Sequence, residues 1–266
     1  MRIIQFVSSG AVHHGVPLDE RSARRIEGNI FGKYTITNEV LTTEKLLAPL
    51  VPTDILCIGL NYRDHAAESG SAIPVNPMLF IKASNTLNNP GDAIAVPRRS
   101  SMIDYEGELV VVIGRDAKHV PRERALDYVF GYTIGNDISA RDWQRDKTLG
   151  GGQFARGKSF DGFCPIGPAI VTADEVRNAN NLRLRTLLNG QVMQDHTTSD
   201  MIFDIPTLIE SLSSTMTLRA GSVILTGTPH GVGFARTPPV WLKAGDRIAV
   251  EIEGLGRLEN PVVDET

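Results

Sequence analysis

Asp104-Tyr105-Glu106-Gly107-Glu108-Leu109-Val110-Val111-Val112-Ile113-Gly114 is the stretch on which the reading of this chain turns. A run of branched aliphatic residues closed by a glycine specifies a buried β-strand. Residues two apart in a strand share a face, so Glu106 and Glu108 point the same way at the strand's entry. Two like charges beside a buried apolar run are costly unless something neutralises them, and a divalent cation is the simplest neutraliser. A third carboxylate, Asp137, ends the apolar run Tyr132-Thr133-Ile134-Gly135-Asn136, where a strand again leaves the core. Three carboxylates with no cysteine or clustered histidine beside them make a hard oxygen site, which fits magnesium or manganese better than zinc or iron. The spacing also admits a plainer reading, in which Glu106 and Glu108 mark a solvated strand end and Asp137 a turn.

Outward from this strand the chain reads as β-rich. Residues 2–6, 55–58, 79–82, 130–137, 223–226 and 247–252 are expected strands. Asn189-Gly190, between residues 182–188 and 191–197, is a strong signal for a two-residue hairpin. Short helices are expected over 61–68, stopped by Gly70, over 121–129, and from Asp204 to about Ser213, with Asp204 as cap and Pro206 in the first turn. The strands do not alternate regularly with helices, which argues against a doubly wound parallel sheet. The expectation is a mainly β chain with short helices, an α+β fold whose mixed sheet curls into a barrel-like core. Residues 1–53 read as a small N-terminal subdomain of short apolar runs and turns. Residues 54–266 read as the main domain.

The 266 residues suit one sizeable domain, and the formal charge of −4 argues against a nucleic acid or anionic membrane partner. No run reaches the roughly 18 apolar residues of a membrane helix. The first residues are too short for a signal peptide and no Arg-rich leader precedes the first strand, so a cytoplasmic location is expected. Cys57 and Cys164 stand far apart in apolar surroundings and read as reduced core residues.

Other residues carry chemistry. His65 and Glu68, three apart on an expected helix, are neighbours that can share a proton and activate a water, or form an ordinary surface pair. Lys158, in Arg156-Gly157-Lys158-Ser159-Phe160-Asp161, is a compact cation suited to a developing oxyanion, or a loop lysine. The Gly-rich run from Leu225 to Gly233 exposes backbone N–H groups that suit a carboxylate, and it lacks the pattern of a dinucleotide site. His13, His14, His119 and His196 are scattered and read as surface or structural.

Jointly, Cys57 to His65, Asp104 to Leu109, Gly135 to Asp142, Gly157 to Pro165 and Leu225 to Pro229 resemble the fumarylacetoacetate hydrolase family, in family order, over about residues 54 to 260. Asp142-Trp143-Gln144, Phe163-Cys164-Pro165 and Thr237-Pro238-Pro239 are similar to the subgroup of fumarylacetoacetate hydrolase domain-containing protein 2. The resemblance implies a mixed β-sandwich roll, a homodimer, and magnesium or manganese on Glu106, Glu108 and Asp137. It implies that Lys158 stabilises charge, that His65 and Glu68 ride on a lid, and that Gln144 and Thr228 contact ligand. Residues 54–266 are then the catalytic domain. The implied substrate is a small 2-oxo or 1,3-dioxo acid that reacts through an enolate held on the metal. C–C bond hydrolysis of an acylpyruvate leads this reading, with Glu68, assisted by His65, taking a proton from water. Tautomerisation or decarboxylation of oxaloacetate shares the same intermediate. A non-catalytic metal- or ligand-binding relative is the alternative of another class.

Overall fold

In the computed structural model, which describes residues 1–149 and 152–266, the deciding stretch is a strand, Gly107–Ile113, with every residue buried. Burial on both faces accounts for an unbroken apolar run in place of alternation. Leu109, Val111 and Ile113 enter the largest core with Leu184, Val250, Ile252 and Leu258 and with Ile205, Leu208 and Ile209 of the helix Ile205–Thr215. Val110 and Val112 enter a second core with Ile3, Cys57, Cys164 and Leu225.

The main sheet has twelve strands. Its path runs Tyr34–Thr42, Ser22–Gly28, Ala11–Pro17, Arg2–Ser8, Cys164–Thr172, Val129–Asn136, Gly107–Ile113, Val223–Leu225, Ile55–Gly59, Met78–Ile81. It is mixed, because Val223–Leu225 lies parallel to Ile55–Gly59 and antiparallel to Gly107–Ile113. A five-stranded sheet, Gln191–Thr197, Arg183–Leu188, Arg247–Ile252, Gly256–Asp264, Ile94–Val96, shares the largest core with it. This is the expected mainly β, mixed sandwich roll with few short helices. Residues 1–53 join the main sheet where Arg2 and Ile3 pair with Val171 and Ile170.

Local signals act as their chemistry requires. Asn189 and Gly190 both take positive φ, 51° and 82°, the geometry of a type I′ hairpin. Asp204 Oδ1 accepts from Thr207 N at 3.0 Å, and the helix runs on to Thr215. The helix expected over 61–68 begins only at Arg63, because Tyr62 stays extended at φ −124° and ψ 138°. The expected helix over 121–129 is a 3₁₀ segment, Arg122–Tyr128, in which Ala125 alone is buried. With no apolar stripe to dock, nothing extends it into an α-helix. The strand Gly256–Asp264 lies beyond the last expected strand. It buries Leu258, Asn260 and Val262, and a polar inward residue beside Pro261 hides that alternation.

Gly107 has a steric role between the two glutamates. A Cβ there would lie 2.2 Å from Thr186 Oγ1 and 3.0 Å from Val250 Cγ1, where the second sheet presses on the first. Gly107→Ala should therefore destabilise the fold by about 1–3 kcal/mol through overpacking. Urea unfolding measures this, and an unchanged midpoint would mean the sheets part there without cost.

Candidate active site

Strand pairing gathers the three carboxylates. Gly107 stands opposite Asn136 in the ladder, so the strand ends carrying Glu106 and Asp137 meet. Asp137 N donates to Glu106 O at 2.9 Å, and Glu106 N donates to Asn136 Oδ1 at 3.0 Å. Oxygens of Glu106, Glu108 and Asp137 come within 4.8 Å of one another, and all three residues are buried. Opposite oxygens on an octahedral magnesium ion stand about 4.2 Å apart. The cluster is thus about the width of one such coordination sphere.

Cations surround the cluster. Lys158 Nζ donates to Glu106 Oε2 at 2.5 Å and to Asp137 Oδ2 at 2.6 Å. Lys82 Nζ donates to Asp137 Oδ1 at 2.5 Å and to Ile138 O at 3.1 Å. Arg141 bridges Glu106 Oε1 at 2.6 Å and Asp104 Oδ2 at 2.8 Å. Asp104, Glu106, Glu108 and Asp137 thus face Lys82, Lys158 and Arg141, four acids against three bases, all buried.

The surplus charge falls on Glu108, which makes no ion pair among the described residues and accepts from Gly227 N at 2.7 Å. Burial, then the charges of Asp137 and Glu106, push its carboxyl well above the usual range. Burial also acts upward on Glu106, but Arg141 and Lys158 outweigh it and hold that carboxyl well below the usual range. Burial pulls the Lys158 ammonium down, while Asp137 and Glu106 carry it above its ordinary value. An oxygen-only donor set with one excess negative charge fits a hard divalent cation such as magnesium or manganese.

The cluster opens on a cavity of about 170 Å³ whose wall includes His65, Glu106, Glu108, Gln144, Lys158 and Thr228. Lys158 closes the short helix Phe154–Lys158. His65 lies on the helix Arg63–Glu68, and its Nδ1 is 2.7 Å from Glu68 Oε1. Glu68 is absent from the cavity wall. Its carboxylate accepts from Gly231 N at 2.9 and 3.1 Å. Gln144 Oε1 accepts from Arg141 at 3.0 Å. The Thr228 hydroxyl donates to Gly107 O at 3.0 Å and accepts from Gln194 Nε2 at 2.8 Å. Cys57 and Cys164 lie buried behind the cluster as free thiols. Burial pushes Cys57 up and Cys164 up to about 12, so neither is a ready nucleophile.

Residues 54–263 match the family profile described as "Fumarylacetoacetate (FAA) hydrolase C-terminal". The chain belongs to the fumarylacetoacetate hydrolase family. It is 51% identical over 227 residues to the "Fumarylacetoacetate hydrolase domain-containing protein 2 homolog" of Dictyostelium discoideum, covering 82% of this chain and 74% of that one. It is 47% identical over 227 residues to "Oxaloacetate tautomerase YisK" of Bacillus subtilis, covering 84% and 74%. A crystal structure described as 5-carboxymethyl-2-hydroxymuconate delta-isomerase from Mycobacterium smegmatis superposes with a TM-score of 0.87 at 38% identity, covering 100% of both chains.

Several residues of this family member carry no clear sequence signal for the site. Lys82 reads only as the end of an expected strand, although a lysine directly after Leu79-Phe80-Ile81 hints at a buried cation. Arg141 and Asp104 sit inside family motifs without standing out. The Gly-rich run does hold carboxylates, but they are the chain's own. Gly227 N donates to Glu108, Gly231 N to Glu68, and Gly233 N to Asp104 Oδ1 at 2.7 Å. No helix of the described residues is long and apolar enough to cross a membrane.

Proposed function

We propose that this family member interconverts the keto and enol forms of a small 2-oxo dicarboxylic acid of the oxaloacetate kind, with magnesium or manganese held by Glu106, Glu108 and Asp137. The observation that carries the reading is the buried meeting of these acids with Lys158 on the wall of a small cavity. Similarity to a relative named as an oxaloacetate tautomerase favours this outcome over the alternatives. When bound, the cation supplies a Lewis acid that draws electron density from the 2-oxo group and makes the C3 hydrogens more acidic.

The chain's own groups do the rest. Lys158 holds a fixed positive charge beside the oxygen on which negative charge builds. His65 is the proton carrier. Its Nδ1 is engaged by Glu68, which leaves Nε2 to take a proton from C3. Delivery of a proton to the oxygen then gives the enol. Glu68, fixed by Gly231, orients the imidazole from behind. Gln144 and Thr228 contact the substrate, and residues 1–53 buttress a catalytic unit of residues 54–266. A homodimer forms over the exposed sheet edge at Met78, Leu79 and Ile81.

Arg145 receives the distal carboxylate. It lines the cavity, lies 4.0 Å above the Phe234 ring and makes no ion pair among the described residues. Burial and then the charge of Arg141 hold its guanidinium below the ordinary value, so an incoming anion relieves it. Arg145→Gln should raise KM for a 2-oxo dicarboxylate about 10- to 100-fold and leave that for a monocarboxylate nearly unchanged. Equal changes for both would remove Arg145 from this role.

A second reading, hydrolysis of an acylpyruvate, draws on the same His65–Glu68 pair, whose 2.7 Å contact also suits activation of a water. The deciding assay presents the magnesium- and manganese-loaded protein with acetylpyruvate, fumarylpyruvate and both tautomers of oxaloacetate. Faster enol decay without pyruvate is the expected result. Pyruvate with a carboxylic acid would replace tautomerisation by hydrolysis, and pyruvate with carbon dioxide would replace it by decarboxylation.

A further inference from the structure

A second group of metal-ligating side chains lies outside the acidic cluster. Ligand atoms of Asp64, His196 and His230 come within 4.8 Å of one another. His196 Nε2 is 3.2 Å from Asp64 Oδ2 and 3.1 Å from Asp200 Oδ2. Neither contact is a hydrogen bond, because Nε2 is buried and has no aligned partner among the described residues. His230 Nδ1 is likewise buried and unpartnered among the described residues. The two imidazoles pack edge to face, with ring centroids 4.9 Å apart. Carboxylate oxygens that approach an imidazole nitrogen closely but out of line are arranged like neighbours on a shared ion. Donors on a tetrahedral zinc ion stand about 3.4 Å apart, a spacing the His196 contacts already approach.

We propose that Asp64, His196 and His230 form a second cation site, selective for borderline metals of the zinc class and supported by Asp200. Two imidazoles suit zinc, cobalt or nickel, whereas the oxygen-only Glu106, Glu108 and Asp137 set suits magnesium or manganese. Asp64 is largely exposed and gives the ion a way in. The three ligands come from three elements. Asp64 is on the helix Arg63–Glu68, His196 on the strand Gln191–Thr197, and His230 precedes Gly231, whose N–H holds Glu68. A bound ion therefore fastens the helix that carries His65 to the second sheet and to the Gly-rich run. The site itself is independent of the reaction proposed above.

The test uses the full chain kept in saturating magnesium and titrated with zinc chloride in a calorimeter, and separately with cobalt(II) read by its visible absorption. The expected result is one zinc per chain beyond the magnesium, and intense bands of four-coordinate cobalt. His196→Gln and His230→Asn, changes on different elements, should each weaken zinc at least about tenfold and bleach the cobalt bands. The melting temperature in magnesium should stay close to the parent's in both, which reports that they fold. Glu108→Gln should leave the extra zinc in place. The site is overturned if zinc and cobalt binding survive both histidine changes, or if zinc binding is lost in Glu108→Gln alone.

Discussion

Lys158→Met is expected to lower kcat by about 10²–10³-fold with little change in KM, the loss associated with removing one preorganised charge-stabilising donor. Methionine is one atom shorter and nearly equal in volume, so the change removes charge more than volume. Lys158 Nζ sits between Glu106 Oε2 and Asp137 Oδ2 at 2.5 and 2.6 Å, all buried. Removing one partner of a buried ion pair typically costs about 3–5 kcal/mol, because the remaining charge loses its counter-charge. Here Lys82 stays on Asp137 and Arg141 stays on Glu106, so the loss should sit at the low end of that range. Unfolding in chelator should show it. Saturating magnesium should recover much of the stability, because a dication replaces the missing charge, without recovering kcat. Undiminished kcat would take Lys158 out of the chemistry and leave it a structural cation.

Glu108→Gln separates function from stability in the opposite direction. Retention of magnesium or manganese should be lost and kcat/KM should fall more than about 10³-fold, since the proposed cation site loses one of its three ligands. Yet in chelator the variant should be more stable than the parent at neutral pH, by about 1–3 kcal/mol. Glutamine keeps an acceptor for Gly227 N and discards the surplus charge. The signs of the two glutamates differ. The Glu108 carboxyl is raised in the fold, so its contribution is fully present below its ordinary value of 4.5 and is lost as pH climbs through the folded value. The Glu106 carboxyl is lowered, so its contribution is present above that ordinary value and is lost as pH falls through the folded one. Removing Glu108 should therefore flatten the loss of metal-free stability on the alkaline side and leave the acid side in place. Urea unfolding in chelator across that range tests this. A variant less stable than the parent at neutral pH would mean Glu108 is compensated in a way its surroundings do not explain.

What sequence carries about this site follows the range of the forces involved. The shared face of Glu106 and Glu108 is a property of one strand, so period-two geometry reveals it. Their meeting with Asp137 depends on the pairing of Gly107 with Asn136, which neither run specifies alone. Lys82 reaches Asp137 from the far edge of the same sheet, and a single lysine after an apolar run says nothing of its partner. His196 reads as scattered because its neighbours Asp64 and His230 lie on other elements. Turn and cap chemistry is local, and Asn189-Gly190 and Asp204 act as their types require. The strand Gly256–Asp264 escapes notice because its inward Asn260 is matched by polar partners from afar, donating to Asn89 O and Asp92 O at 2.8 Å.

The backbone amides of Gly227, Gly231 and Gly233 each grip a different acid, Glu108, Glu68 and Asp104, and Asp104 in turn steadies Arg141. One short ribbon of main chain thus acts as a common jig for an acid of the buried cluster, the carboxylate behind His65 and the acid beneath the neighbouring guanidinium. Insertions there would misalign all three at once. Divergence of substrate preference among related enzymes should gather instead at cavity-wall side chains that hold none of these acids, such as Met78, Arg145 and Phe154, where a side chain can change without dragging the chemistry along.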